Sequence, residues 1–155
     1  KEYNLILDNC GGQNKNRIVI RLFMMLAEIG YFKTGRMAFL VRGHTKNPCD
    51  RTFMLLKKDF HFRNVYTRQQ VHDILDAHDL VDAVRVTDKN FYDFDTFLDS
   101  IYNRPAAGTV NKSHIFTMTQ AEPGMLTYQE SSDSEPKTQC LKMGRWNNTE
   151  RHIVL

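Results

Sequence analysis

No apolar run in these 155 residues reaches the ~18 that a membrane-spanning helix needs, so the sequence offers no such span. It has no CxxC pair, and its three cysteines, Cys10, Cys49 and Cys140, are odd in number. Neither a disulfide framework nor a cysteine-rich zinc site is indicated, and a reducing compartment is the default. Cys10 and Cys49 each lie close to a candidate aspartate, which leaves two readings, a redox pair or small buried cysteines. No internal repeat or low-complexity tract interrupts the chain. It opens Lys-Glu-Tyr without a methionine and enters a strand at once, so it reads as a segment of a longer polypeptide whose targeting signals lie elsewhere.

What is there is ordinary in bulk and uneven in detail. Hydrophobic residues make up 41% and charged residues 25%, as in a typical globular protein. The length suits one domain, or one and a piece. The net charge of +3 hides an asymmetry: residues 1–68 hold 13 Lys/Arg against 5 Asp/Glu, while residues 69–155 hold 8 against 13. A basic first half fits an anionic, phosphate-bearing partner; an unevenly charged solvated surface is the plainer reading.

Residues 3–8 form an apolar run that ends in Asp-Asn-Cys-Gly-Gly, a strand followed by a tight turn. Asn14 or Asn16 can cap the helix expected over Arg17 to Ile29, whose broad apolar face suits packing on a sheet, and Gly30 stops it. Met37 to Val41 reads as a second buried strand. Strand, helix and strand in about 40 residues make a βαβ unit with parallel strands, whose C-terminal edge is where open α/β sheets place their chemistry. Asp8 and the loop over residues 43–47 should therefore be neighbours. Asn47-Pro48 reads as a helix start, with Phe53, Met54, Leu55 and Leu56 on the buried face.

Farther on, Thr67 to Gln70 matches a capping box, and Val71, Ile74, Leu75 and His78 mark one helix face. Val81 to Val86 reads as an edge strand. Asp93 caps a helix carrying Phe94, Phe97, Leu98, Ile101 and Tyr102, ended by Arg104-Pro105. The aromatics at 91, 92, 94, 97 and 102 read as core sooner than as a base-stacking platform. From His114 on, Ile115–Met118 and Leu126–Tyr128 flank Glu122-Pro123-Gly124 as a hairpin, with short strands at Gln139–Met143 and His152–Leu155. Three segments result: 1–60 a βαβα core, 61–110 mainly helical, and 111–155 a small β-rich extension.

Asp8, delivered straight from a buried strand, is the leading candidate for holding a hard divalent cation through oxygen. Asp50 falls in the first turn of the second helix, where the helix dipole alone favours an acid; beside Asp8 it becomes a second ligand. Gly11-Gly12-Gln13-Asn14-Lys15 resembles a phosphate cradle yet lacks the GxxxxGK[ST] spacing. Lys15 or Arg17 there, His44 and Lys46 in the second loop, and Arg51, Lys57 and Lys58 on the helix are candidate nucleic-acid contacts. Solvated helix surface is the competing view. A nucleotide-binding α/β protein using residues 11–15 is a further alternative.

The strings DNCGGQNKN and, about 30 residues later, GHTKNPCDR with an apolar helix ending in Lys-Lys resemble a broad family of transposon-derived domains related to RNase H-like integrases and transposases of the DD[E/D] type. The resemblance covers residues 3–60. It implies an incomplete RNase H-like fold followed by an α+β extension with short antiparallel strands. Asp8 and Asp50 match the second and third catalytic acids. Two Mg²⁺ or Mn²⁺ ions, DNA as partner and a nuclear location are also implied, with homo-oligomerisation an option. Seven residues ahead of Asp8 leave no room for the first-strand acid, so two of three acids are expected here. The missing N-terminal part of the same protein would supply the other, and the isolated segment should be inactive. Turnover by these 155 residues that vanished in Asp8→Ala would overturn that expectation. The alternative is a non-catalytic nucleic-acid-binding or interaction module derived from a transposase.

Overall fold

The computed structural model describes residues 1–41, 48–79, 81–84, 86, 87, 89 and 91–143, with backbone only at 48–50. They form a mixed α/β chain whose five strands share one sheet: β1 (Glu2–Leu7), β2 (Thr34–Phe39), β3 (Ile115–Thr119), β4 (Met125–Gln129) and β5 (Lys137–Cys140), in that spatial order. The helices are α1 (Arg17–Glu28), α2 (Pro48–Phe62), α3 (Arg68–Asp76), α4 (Phe94–Asp99) and α5 (Ala107–Lys112). Two compact units result, residues 1–42 with 93–155, and residues 43–92. These boundaries follow space and not chain order, because β3 returns to pair with β2 and so draws the last third of the chain into the first unit.

In that unit β1 and β2 run parallel, joined by α1 as the βαβ pattern requires, whereas β2–β3, β3–β4 and β4–β5 are antiparallel. The core lies between α1 and one face of the sheet. Ile20, Phe23, Met24 and Ala27 of α1 meet Met37 and Phe39 of β2, Phe116 and Met118 of β3, and Leu126 of β4. Leu98, Ile101 and Tyr102 close the same core from α4 and the turn after it. The opposite face carries a row in register across all five strands, Asn4, Arg36, Thr117, Thr127 and Thr138, which is why burial alternates along β2.

Both ends of α1 are written locally. Asn16 has extended backbone, and its Oδ1 accepts from the N–H groups of Ile18 and Val19 at 3.0 Å each. At the other end Gly30 has φ 87°, a left-handed turn that costs glycine little. There the Gly30 N–H donates to Ala27 O and the Tyr31 N–H to Leu26 O, the paired bonds of a Schellman stop. Asn16→Ala is expected to cost about 1 kcal/mol, and a denaturant midpoint shift with unchanged slope would register it.

Several expectations shift. The second strand begins at Thr34, three residues before the apolar run, because β2 spans Gly35 and Arg36 as well. Only Leu56 of the four residues assigned to the buried face of α2 is buried; Phe53, Met54 and Leu55 are exposed. Four consecutive helical residues span more than a full turn and cannot share a face. No strand forms over the described residues of 81–86. Phe91 and Tyr92 are exposed, while Tyr102 is core. Helix α5 has no signal in the local sequence pattern, and the last strand is Lys137–Cys140 in place of Gln139–Met143. Asn47, Arg85 and the strand expected over His152–Leu155 lie outside the described residues.

In the second unit α2 and α3 pack together, with Leu56 and Ile74 buried. His78 Nε2 lies 2.7 Å from Asp59 Oδ2, linking the residue just past α3 to α2. The capping box at Thr67 is complete: the Gln70 N–H donates to Thr67 Oγ1 and the Thr67 N–H to Gln70 Oε1.

Candidate functional site

The C-terminal edge of the parallel pair is where Asp8 stands. Pairing continues one step past β2, with the Leu40 N–H donating to Leu7 O at 3.0 Å, and Asp8 follows at once, exposed to solvent. The chain then turns tightly: Cys10 O accepts from the N–H groups of Gln13, Asn14 and Lys15 at 3.2, 2.9 and 2.9 Å. Asn16 Nδ2 donates to Gln13 O, so the cap residue fastens the turn from below.

This turn is not built like a phosphate cradle. Neither Gly11 nor Gly12 has positive φ, and a Cβ on Gly12 would meet nothing within 4 Å. The first free N–H groups of α1 are already taken by Asn16. Lys15 points inward: it is 6% exposed, its Nζ donates to Asn111 O at 3.0 Å, and the ammonium sits 5.8 Å from the centre of the Phe39 ring. Burial holds its pKa below the usual lysine value. A contact between Lys15 and a phosphate would require it to leave Asn111. Arg17 stays at the surface, 3.7 Å from Asp95.

His114 joins the same edge from β3, and no sequence spacing points to it. It stands across the end of β2: the Phe39 N–H donates to His114 O at 2.7 Å, and His114 Nδ1 lies 3.1 Å from Phe39 O. A carbonyl only accepts, so Nδ1 donates this bond and Nε2 is the ring nitrogen left to face the edge. Asp8 and His114 thus flank the end of β2, at roughly two interstrand spacings, or about 10 Å, between backbones. The antiparallel return that brings His114 there cannot be read from local pattern.

The second unit supplies the other basic candidates. Arg51, Lys57 and Lys58 are exposed on α2. Met54, Lys57, Lys58, His61 and Phe62 line a shallow cleft of about 510 Å³ on that helix. Asp50 belongs to the first turn of α2, and its side chain, with His44, Lys46 and the Cys49 side chain, lies outside the described residues. Cys10 is half-buried and Cys140 exposed, and both are free thiols. Asp8 presents an exposed carboxylate, the kind of oxygen ligand a hard cation takes. Among the described residues no group of three or more His, Cys, Asp or Glu is placed to hold a metal ion.

A family model described as a domain of unknown function (DUF7869) matches residues 3–134. No curated protein and no solved structure matches the chain.

Proposed function

We propose that this chain, which belongs to the DUF7869 family, is the Asp8-bearing part of a metal-dependent polynucleotidyl transferase acting on DNA, RNase H-like in its βαβα segment. The observation that carries the reading is the exposed Asp8 immediately after β1, at the C-terminal edge of two parallel strands. Asp8 would supply an oxygen ligand to Mg²⁺ or Mn²⁺, and such ions activate the attacking oxygen and stabilise the leaving one. The protein's own part is to fix Asp8: β1 pairs through Leu7, the Cys10 turn closes behind it, and Asn16 anchors that turn to α1. His114, whose Nδ1 donates to Phe39 O, is a second polar group on that edge. Lys57 and Lys58 suit phosphate contacts that position DNA without reading its sequence.

In this reading Mn²⁺ broadens the amide resonances of residues 8–12 in the 155-residue protein, and Asp8→Asn abolishes that broadening while leaving the spectrum otherwise folded. Equal broadening in the variant would remove Asp8 as a ligand. A second reading, a nucleic-acid-binding module without chemistry, is favoured by the cationic cleft of α2, whose residues stand exposed without reference to Asp8. It predicts salt-dependent DNA binding unchanged by Asp8→Asn and no manganese effect near residue 8.

A further inference from the structure

From the surface of α2 we infer that the cleft formed by Met54, Lys57, Lys58, His61 and Phe62 binds single-stranded nucleic acid, a base stacking on Phe62 and flanking phosphates on Lys57 and Lys58. The inference rests on the nucleic-acid reading above and narrows it to one strand state and one surface.

The five residues recur at steps of three and four, so helical periodicity lines them up along one stripe. Helical periodicity sets that stripe on the side of α2 opposite to buried Leu56 and to Asp59, which reaches His78 just past α3. Phe62 is 82% exposed and Met54 57%, an unusual position for two large apolar side chains at the mouth of one cleft. The His61 and Phe62 rings lie 5.7 Å apart between centroids at 76°, so His61 is not stacked flat against Phe62. Among the described residues lining the cleft none is acidic, and three are basic. Asp59, one helical position past Lys58, is directed instead to His78.

Charge complementarity therefore asks for a polyanion, and the flat exposed ring asks for something that stacks. Single-stranded nucleic acid supplies both at once, since every base has a π-face and every linkage a phosphate. A duplex keeps its bases paired and would use the lysines alone. An acidic peptide would satisfy the lysines and leave the ring unused.

The test is fluorescence anisotropy of the 155-residue protein with a dye-labelled dodecamer of thymidine, against a twelve-base-pair duplex and with polyglutamate as competitor. Phe62→Ala is expected to weaken the single strand roughly tenfold and Phe62→Trp to preserve or tighten binding. Duplex binding should not respond to either change. Lys57→Gln with Lys58→Gln should reduce the log–log salt slope for the single strand by about 1.4. Phe62 is exposed, and circular dichroism will show that these variants keep the fold. Equal affinity of the parent and Phe62→Ala for the single strand overturns the stacking site. So does polyglutamate displacing the oligonucleotide with no response to Phe62. Loss of this site would leave the manganese result at Asp8 untouched, and loss of the Asp8 result would leave this one, so the two failures are distinguishable.

Discussion

Replacing Arg21 by methionine is expected to destabilise the first unit by about 3 kcal/mol, the lower end for breaking a buried ion pair from one side. Arg21 is fully buried within an otherwise apolar helix face. Each part of its guanidinium is engaged: Nε donates to Arg17 O at 3.2 Å, Nη2 to Asp95 at 2.7 Å, and Nη1 to Asp99 at 2.5 Å. Removing it leaves two carboxylates short of their main buried partner. They are each about a third exposed and still face Arg104, which also bonds Asp99, and this is why the lower end applies. For a unit of this size the loss corresponds to a fall in Tm of roughly 10 °C or more. Adding Asp95→Asn and Asp99→Asn to Arg21→Met should recover part of the loss, since no uncompensated charge then remains. A Tm within 2–3 °C of the parent for Arg21→Met alone would refute the role given to this network.

The same cluster sets a pH dependence. The hydrogen bonds from Arg104, and next from Arg21, hold the Asp99 carboxyl far below its ordinary value of 3.8. A carboxylate depressed in the folded state binds protons more weakly there than in the unfolded chain. Its contribution is therefore complete above about pH 5 and is lost progressively as pH falls through 3.8 and below. Asp99→Asn should flatten that acid limb of the stability curve while lowering stability at neutral pH.

Gly35→Ala is expected to cost about 3 kcal/mol, the upper end for forcing a methyl into a filled core. A Cβ there would come within 2.8 Å of Phe23 Cε1 and nearer still to the Phe32 ring. Neither ring has room to retreat. Their centroids are 4.7 Å apart, both side chains are buried, and Tyr3 stacks on the outer side of Phe32 at 5.7 Å. Alanine normally suits a strand interior better than glycine, by roughly 0.5–1 kcal/mol, so destabilisation here reports sterics and not propensity. Phe32→Leu in the Gly35→Ala background should recover a measurable share. Neutral or stabilising Gly35→Ala, read by denaturant midpoint, would show that the aromatic layer yields.

The βαβ unit was legible because its signals are short-range. Apolar runs, a capping asparagine and a stopping glycine act within a few residues, and so do the Thr67 capping box and the turn at Gly124. Where expectation and fold part, a distant partner decided. Thr34, Gly35 and Arg36 look like loop until β1 and β3 supply both sides of a ladder. Arg21 looks like a polar break in an apolar helix until Asp95 and Asp99 arrive. Lys15 looks like a phosphate hand until Asn111, 96 residues away, accepts its hydrogen bond. The polar groups of the edge divide the same way: Asp8 could be named from the strand it ends, whereas the place of His114 depends on how β3 returns.

Sequence by itself determined the parallel β1–α1–β2 unit, both ends of α1 and the exposed aspartate after β1, because period, caps and strand ends are local properties of the chain. Only the tertiary structure decided which polar residues turn inward and which apolar ones stay outside. Lys15 and Arg21 are buried and Phe62 is exposed because burial depends on what the rest of the fold brings against each side chain.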